Sequence, residues 1–173
     1  KAQYHSYEVM NQHVSFLFTS LLTDDCIARG KALLDGGVRY LGGTNETYGN
    51  INTSDSLWVI RDLVFNQKKY TLRQLNDAML ANFNGYEALR KDCLNCDKYG
   101  NDLETADTMA NDLYEFVAKG VRNRGIAIGM QYFLIVISNN QLNTEWGNRT
   151  AASPDGRLSC MYMNPANNPQ GGA

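Results

Sequence analysis

The sequence predicts an α/β fold, mainly helical, with one or two buried strands. Three observations carry that expectation. Cap-forming residues precede amphipathic runs at several points, which is how helix starts are written. One continuous apolar stretch, Ile126 to Ile137, is rich in β-branched and aromatic types and suits a strand covered on both faces. All three prolines, Pro154, Pro165 and Pro169, fall near the C-terminal end, so irregular chain is expected there.

In order, Met10, Val14, Leu17, Phe18, Leu21 and Leu22 follow the rhythm of an amphipathic helix between Tyr4 and Leu34. A break is expected at Thr23-Asp24-Asp25, with a second helix from Cys26 to Leu34. Next, Asp35 to Thr44 holds four glycines at a spacing that is neither GxGxxG nor the Walker pattern, so it reads as a connector, not a phosphate cradle. Four helices follow. Ser54 or Asp55 is the expected cap of the first, and Thr71-Leu72-Arg73-Gln74 is a capping box for the second. Asn84-Gly85-Tyr86-Glu87 and Asn101-Asp102-Leu103-Glu104 repeat the device. The last helix carries an apolar stripe, Leu103, Ala106, Ala110, Leu113 and Val117, and is expected to end at Lys119-Gly120.

The stretch from Gly125 to Arg157 is the one the rest of the chain is built to present. Its apolar half, bounded by Gly125 and Ser138-Asn139-Asn140, is too short to span a membrane; over so short a run periodicity also allows a buried helix. Its polar half ends in Ser153-Pro154-Asp155-Gly156, a tight turn: proline presets φ, aspartate bonds its own backbone, glycine accepts positive φ. Asp155 and Arg157 are expected to fix this loop. The tail from Met161 has no regular period and is expected to be mobile in isolation.

At 173 residues the chain is long enough for one domain of ordinary size. Sixteen basic against eighteen acidic residues, with no basic block, give a nucleic-acid groove no electrostatic support. No run reaches membrane-spanning length. The expected setting is the cytoplasm, where Cys26, Cys93, Cys96 and Cys160 are free thiols; the single CxxC lacks a second pair or a histidine pair for zinc. Both ends read as internal to a longer polypeptide. His5 and His13 lie eight apart, off the spacing of paired helix ligands, and no serine triad can be composed. The aspartates fall mostly where helix capping explains them. The sequons at Asn45, Asn52 and Asn148 are what so asparagine-rich a chain contains by chance. The residues alone therefore define no catalytic group and no metal ligand.

One ordered series adds more. Gly36-Gly37-Val38-Arg39-Tyr40, Asp55-Ser56-Leu57, Leu63-Val64-Phe65, Lys98-Tyr99-Gly100-Asn101-Asp102 and Ala152-Ser153-Pro154-Asp155-Gly156-Arg157 resemble, in order and spacing, the glycyl radical enzymes of the pyruvate formate-lyase group. The resemblance runs from about Leu17 to Arg157. It implies an internal segment, 1–173, of such an enzyme: helical wall 4–120, buried strand and SPDGR loop 125–160, irregular tail 161–173. The parent would be a ten-stranded barrel buried in helices. There a glycyl radical on a C-terminal loop makes a cysteine thiyl radical that abstracts hydrogen from a small polar substrate. The radical would be installed by an activating enzyme using S-adenosylmethionine and an iron–sulfur cluster, and the parent would be a homo-oligomer. Reaction types in the family include formate acetyltransferase, dehydratase and lyase chemistry.

The family's Arg-Val-x-Gly-Tyr motif does not occur here, and no cysteine matches the thiyl position, so this segment would bind no cofactor and be inactive alone. Where relatives continue with a small-Gly-Glu-Pro pattern, this chain has Ser159-Cys160-Met161-Tyr162. Residues just after the turn reach the substrate pocket in several relatives, so the resemblance nominates Tyr162 and Asn164 as substrate-binding. The competing reading is a stand-alone helical interaction or scaffold module that has lost the radical chemistry.

Overall fold

The structure is a computed structural model that describes residues 1–130, 132–137 (backbone only) and 142–170. It divides into two compact units, Lys1–Asn45 with Val117–Val136, and Glu46–Phe116 with Ile137–Ala173.

In the first unit, α1 (Ala2–His13) ends at Val14, and Ser15 and Phe16 both take positive φ (59° and 43°). Short helices α2 (Leu17–Leu21) and α3 (Cys26–Arg29) follow. The expected single helix to Thr23 is thus interrupted about two turns earlier, because two left-handed residues end the i to i−4 ladder. Leu17, Phe18, Leu21 and Leu22 all stay exposed, each at 62% or more, so the apolar stripe is not a buried face. Leu33–Gly37 forms an irregular wide turn with Gly36 at φ +80°. The glycine connector then becomes strand β1 (Gly42–Thr47), which alternates half-buried and exposed positions. It pairs with β2 (Tyr132–Ile137) in a two-stranded sheet. The expected burial of the Phe133–Ile137 side chains, and the Ser138–Asn140 boundary, lie outside the described residues.

The second unit carries the main core. Helix α4 (Asn50–Val59) runs on through a π-helical turn, Ile60–Asn66. Helices α5 (Leu72–Leu80) and α6 (Glu87–Asn95) close around it, burying Val59, Leu63, Leu75, Ala78, Phe83 and Leu89. Removing each large side chain from water is worth about 2 kcal/mol. The capping box at Thr71 forms as expected: Gln74 N–H donates to the Thr71 hydroxyl at 3.1 Å, and Thr71 N–H donates to Gln74 Oε1 at 2.8 Å. Asn84 does not cap α6; Tyr86 occupies the cap, and Gly85 N–H donates to Glu87 instead. Ser54 and Asp55 do not cap α4. The helix begins at Asn50, after Gly49 at φ +68°, which places both residues inside it and buried.

Helix α7 (Glu104–Ile126) buries Ala106 and Ala110 and continues past Gly120. Glycine ends a helix by taking positive φ, and Gly120 does not. The apolar run of the sequence is consequently split, Ile126 closing α7 and the strand starting only at Tyr132. Helix α8 (Leu142–Asn148) precedes the SPDGR turn. Among the described residues no helix is long and apolar enough to cross a membrane.

Candidate functional site

The turn forms where the sequence puts it. Gly156 N–H donates to Ser153 O at 3.0 Å, with Gly156 at φ +93°. The Asp155 carboxylate folds back, taking the Ser153 hydroxyl at 2.5 Å and Arg157 N–H at 3.4 Å on Oδ1. The Arg157 guanidinium, 7% exposed as a residue, donates to the Ser153 hydroxyl and to the carbonyls of Ala151, Leu158 and Met161. These bonds set the course of the backbone leading to Tyr162.

The turn is held from two helices. Arg90 Nε of α6 donates to Gly156 O at 2.9 Å, and Asp155 N–H donates to Ser56 Oγ of α4 at 3.2 Å. Asn52, one turn before Ser56 on α4, donates to Asp155 Oδ2 at 2.8 Å and to Gln170 Oε1 at 3.0 Å. Its own Oδ1 accepts the backbone N–H of Asn164 at 2.6 Å. Gln170 Nε2 in turn donates to Asp55 Oδ2 at 2.7 Å, and Asp55 Oδ1 accepts Tyr99 N–H at 3.0 Å. Asp55 is fully buried and Asp155 nearly so. Burial pushes the Asp55 carboxyl above its ordinary value, opposed by the hydrogen bonds from Tyr99 and Gln170 and by the charge of Lys98.

A cavity of about 150 Å³ opens beside this network, lined among others by Asn52, Arg90, Asp155, Tyr162, Asn164 and Gln170. Both sequence-nominated residues are therefore at one cavity, but differently placed. Tyr162 is 57% exposed at its edge, whereas Asn164 is buried. Asn52, Asp55, Arg90 and Gln170 are the residues that sequence reasoning missed. The i, i+3 pairing of Asn52 and Asp55 on one helix was a readable signal, hidden by assigning Asp55 to a cap and Asn52 to a sequon.

The cysteines stand apart from the cavity. Cys93 and Cys96 are free thiols pushed up by burial, to about 12 and about 11. The Lys98 ammonium beside them donates to the carbonyls of Cys93 and Cys96. Cys160, on the segment after the turn, is exposed. Among the described residues no three His, Cys, Asp or Glu side chains converge in a way that could hold a metal. The sequence contains no Arg-Val-x-Gly-Tyr motif.

Residues 1–142 match the family described as pyruvate formate lyase-like, and the chain belongs to that family. It is 32% identical over 162 residues to the trans-4-hydroxy-L-proline dehydratase of Clostridioides difficile, covering 93% of this chain and 20% of that protein. To the (2S)-3-sulfopropanediol dehydratase of Klebsiella oxytoca it is 33% identical over 143 residues, covering 81% of this chain and 17% of the relative. The chain thus spans about a fifth of the length of the curated relatives it matches. The solved hydroxyproline dehydratase of C. difficile, with trans-4-hydroxy-L-proline bound, superposes with a TM-score of 0.84 at 30% identity, over 92% of this chain and 20% of that one. The B12-independent glycerol dehydratase of Clostridium butyricum, with glycerol bound, gives 0.83 at 26% identity over the same shares. The mainly helical chain therefore matches a portion of glycyl radical enzyme structures.

Proposed function

We propose that this chain is one part, 1–173, of a glycyl radical dehydratase or related lyase, and that Tyr162 and Asn164 face its small, polar, hydroxylated substrate. The observation that carries the reading is the convergence of Tyr162 and Asn164 on one cavity whose wall is locked to α4. The names of the relatives support the substrate class, since hydroxyproline, sulfopropanediol and glycerol are all small hydroxylated compounds. Dehydration is favoured over formate acetyltransferase chemistry for the same reason.

In this reading β1 and β2 belong to a ten-stranded barrel, and the radical glycine and thiyl cysteine come from other parts of the polypeptide. The chain's own residues bind, orient and exclude water; they generate no radical. A separate activating enzyme with S-adenosylmethionine and an iron–sulfur cluster installs it, and the whole enzyme is a cytoplasmic homo-oligomer. The exposed Leu17, Phe18, Leu21 and Leu22 are the kind of apolar surface that further protein covers, here the remainder of the parent enzyme.

The test is anaerobic activation of the complete polypeptide, with the radical followed by electron paramagnetic resonance and turnover assayed against small diols and hydroxy acids. Tyr162→Phe and Asn164→Ala should each raise KM about tenfold, the equivalent of one hydrogen bond of about 1.4 kcal/mol. A protein that never acquires a radical, or variants with unaltered KM, would refute the reading.

A further inference from the structure

We propose that Asn52 is the positioning residue of this site: its carboxamide gives a buried hydrogen-bond relay one direction and thereby sets Asn164 and Tyr162 at the cavity. The inference rests on the reading of that cavity as substrate-facing.

The argument begins with a group that can only donate. The backbone N–H of Asn164 meets Asn52 Oδ1 at 2.6 Å, so the other end of that carboxamide must be its NH2. That NH2 stands 2.8 Å from Asp155 Oδ2 and 3.0 Å from Gln170 Oε1, and supplies one hydrogen to each. Gln170 is now oriented as well, with its own NH2 facing Asp55 Oδ2 at 2.7 Å. At the far end Asp55 Oδ1 receives Tyr99 N–H at 3.0 Å, a second group that can only donate. The Asn164 backbone amide thus fixes both side-chain amides of the relay, and Asp55 closes it with one acceptor on each oxygen.

Position 52 therefore requires an acceptor on one atom and two hydrogens on its neighbour, within the reach of a single methylene. Asparagine alone offers that. Aspartate would keep the bond to Asn164 but turn an oxygen on two oxygens, leucine would satisfy neither side, and glutamine would overreach. Asn52 itself is only 6% exposed, so its carboxamide is committed to these partners rather than to bulk solvent. Nor does Asp155 have a spare donor at Oδ2: Ser153 and Arg157 N–H are spent on Oδ1.

The decisive variant in the complete, activated enzyme is Asn52→Asp. It turns an oxygen on Asp155 Oδ2 and Gln170 Oε1, both acceptors, where the wild type supplies two hydrogens, and segment 162–164 is pushed off. The expected result is a KM at least tenfold above wild type, with kcat altered far less. Asn52→Ala, which removes the carboxamide, should raise KM as well.

A purely structural role would lower the active fraction, and so kcat, without moving KM; that outcome overturns the proposal. If Tyr162→Phe and Asn164→Ala raise KM while Asn52→Asp leaves it alone, the positioning role fails and the substrate-facing reading stands. If none of the three moves KM, the reading fails and takes the proposal with it. Should the position 52 variants not fold, Gln170→Glu reverses the polarity at the half-buried outer end of the relay. It should raise KM at least threefold, and an unchanged KM overturns the proposal.

Discussion

Gly147 offers a prediction in which the usual sign of a substitution reverses. Within a helix, replacing glycine by alanine ordinarily stabilises by about 1 kcal/mol, because the backbone has less freedom to lose. Gly120 in α7 meets that description: a Cβ there finds nothing within 4 Å. Gly147 in α8 does not. A Cβ would stand 2.4 Å from Met161 O, 2.6 Å from Tyr162 Cα and 2.8 Å from Met163 N, all backbone. Ordinary contacts begin at 3.4 Å, so segment 161–163 must retreat by about 1 Å. That retreat stretches two bonds beyond useful length, Met163 N–H to Asn143 O at 3.1 Å and Asn143 Nδ2 to Met163 O at 2.9 Å. Two hydrogen bonds at about 1 kcal/mol each and an overpacking cost of about 1–3 kcal/mol outweigh the helix gain. Gly147→Ala should therefore destabilise by about 2–4 kcal/mol, lowering Tm by about 10 °C, whereas Gly120→Ala should stabilise by about 0.5–1 kcal/mol. Urea and thermal unfolding of both variants followed by circular dichroism give the comparison. A Gly147→Ala protein as stable as wild type would refute the reasoning, for it would mean that segment 161–163 does not lie against α8.

The core predicts that Leu63→Ala, at 4% exposure, costs about 2–5 kcal/mol in urea unfolding. Thr71→Ala should cost about 1 kcal/mol and speed hydrogen exchange at the Gln74 amide, since it removes half of the capping box. In the native protein at about pH 8, iodoacetamide should modify the exposed Cys160 first and Cys93 and Cys96 last, as peptide mass spectrometry would show; burial leaves those two almost no thiolate. For Asp55 the folded carboxyl holds its proton more tightly than the unfolded chain does. Its contribution to stability is therefore fully present below the ordinary carboxylate range and is lost as pH rises through the raised folded value. Asp55→Asn should flatten that limb of the stability curve as pH rises above the ordinary carboxylate range, and an unchanged slope would count against the assignment.

Signals that act over a few residues were legible in the sequence. The Thr71 capping box and the Ser153–Gly156 turn are made of neighbours whose chemistry is complete within four positions. The family resemblance was legible too, because its motifs keep their order. Helix ends were less so. Gly120 looked like a stop, but glycine permits a left-handed residue without requiring one, and α7 continues through it. Asn50 was not seen as a helix start because the start depends on Gly49 taking positive φ, while Ser54 and Asp55 look like better caps. The exposed stripe from Leu17 to Leu22 shows the limit of periodicity: it identifies a face that prefers to leave water, not whether this chain supplies the cover.

The polar site was the least legible part, and the reason is directional. Hydrophobic burial tolerates many partners, so a stripe of leucines announces itself without naming what it touches. A buried amide announces nothing, because its role depends on which atoms face it. For Asn52 those atoms belong to Asp155 and to the backbone of Asn164, 103 and 112 positions away. The i, i+3 spacing of Asn52 and Asp55 marks one face of a helix but not what that face meets, and in an exposed loop the same Asn-Thr-Ser would read as a sugar acceptor. In the fold it is 6% exposed and its carboxamide is fully committed, so a sugar on Asn52 is incompatible with the relay. Long-range satisfaction of a few buried donors and acceptors thus decides where residues 162–164 stand, while the helices decide only that there is a wall for them to stand against.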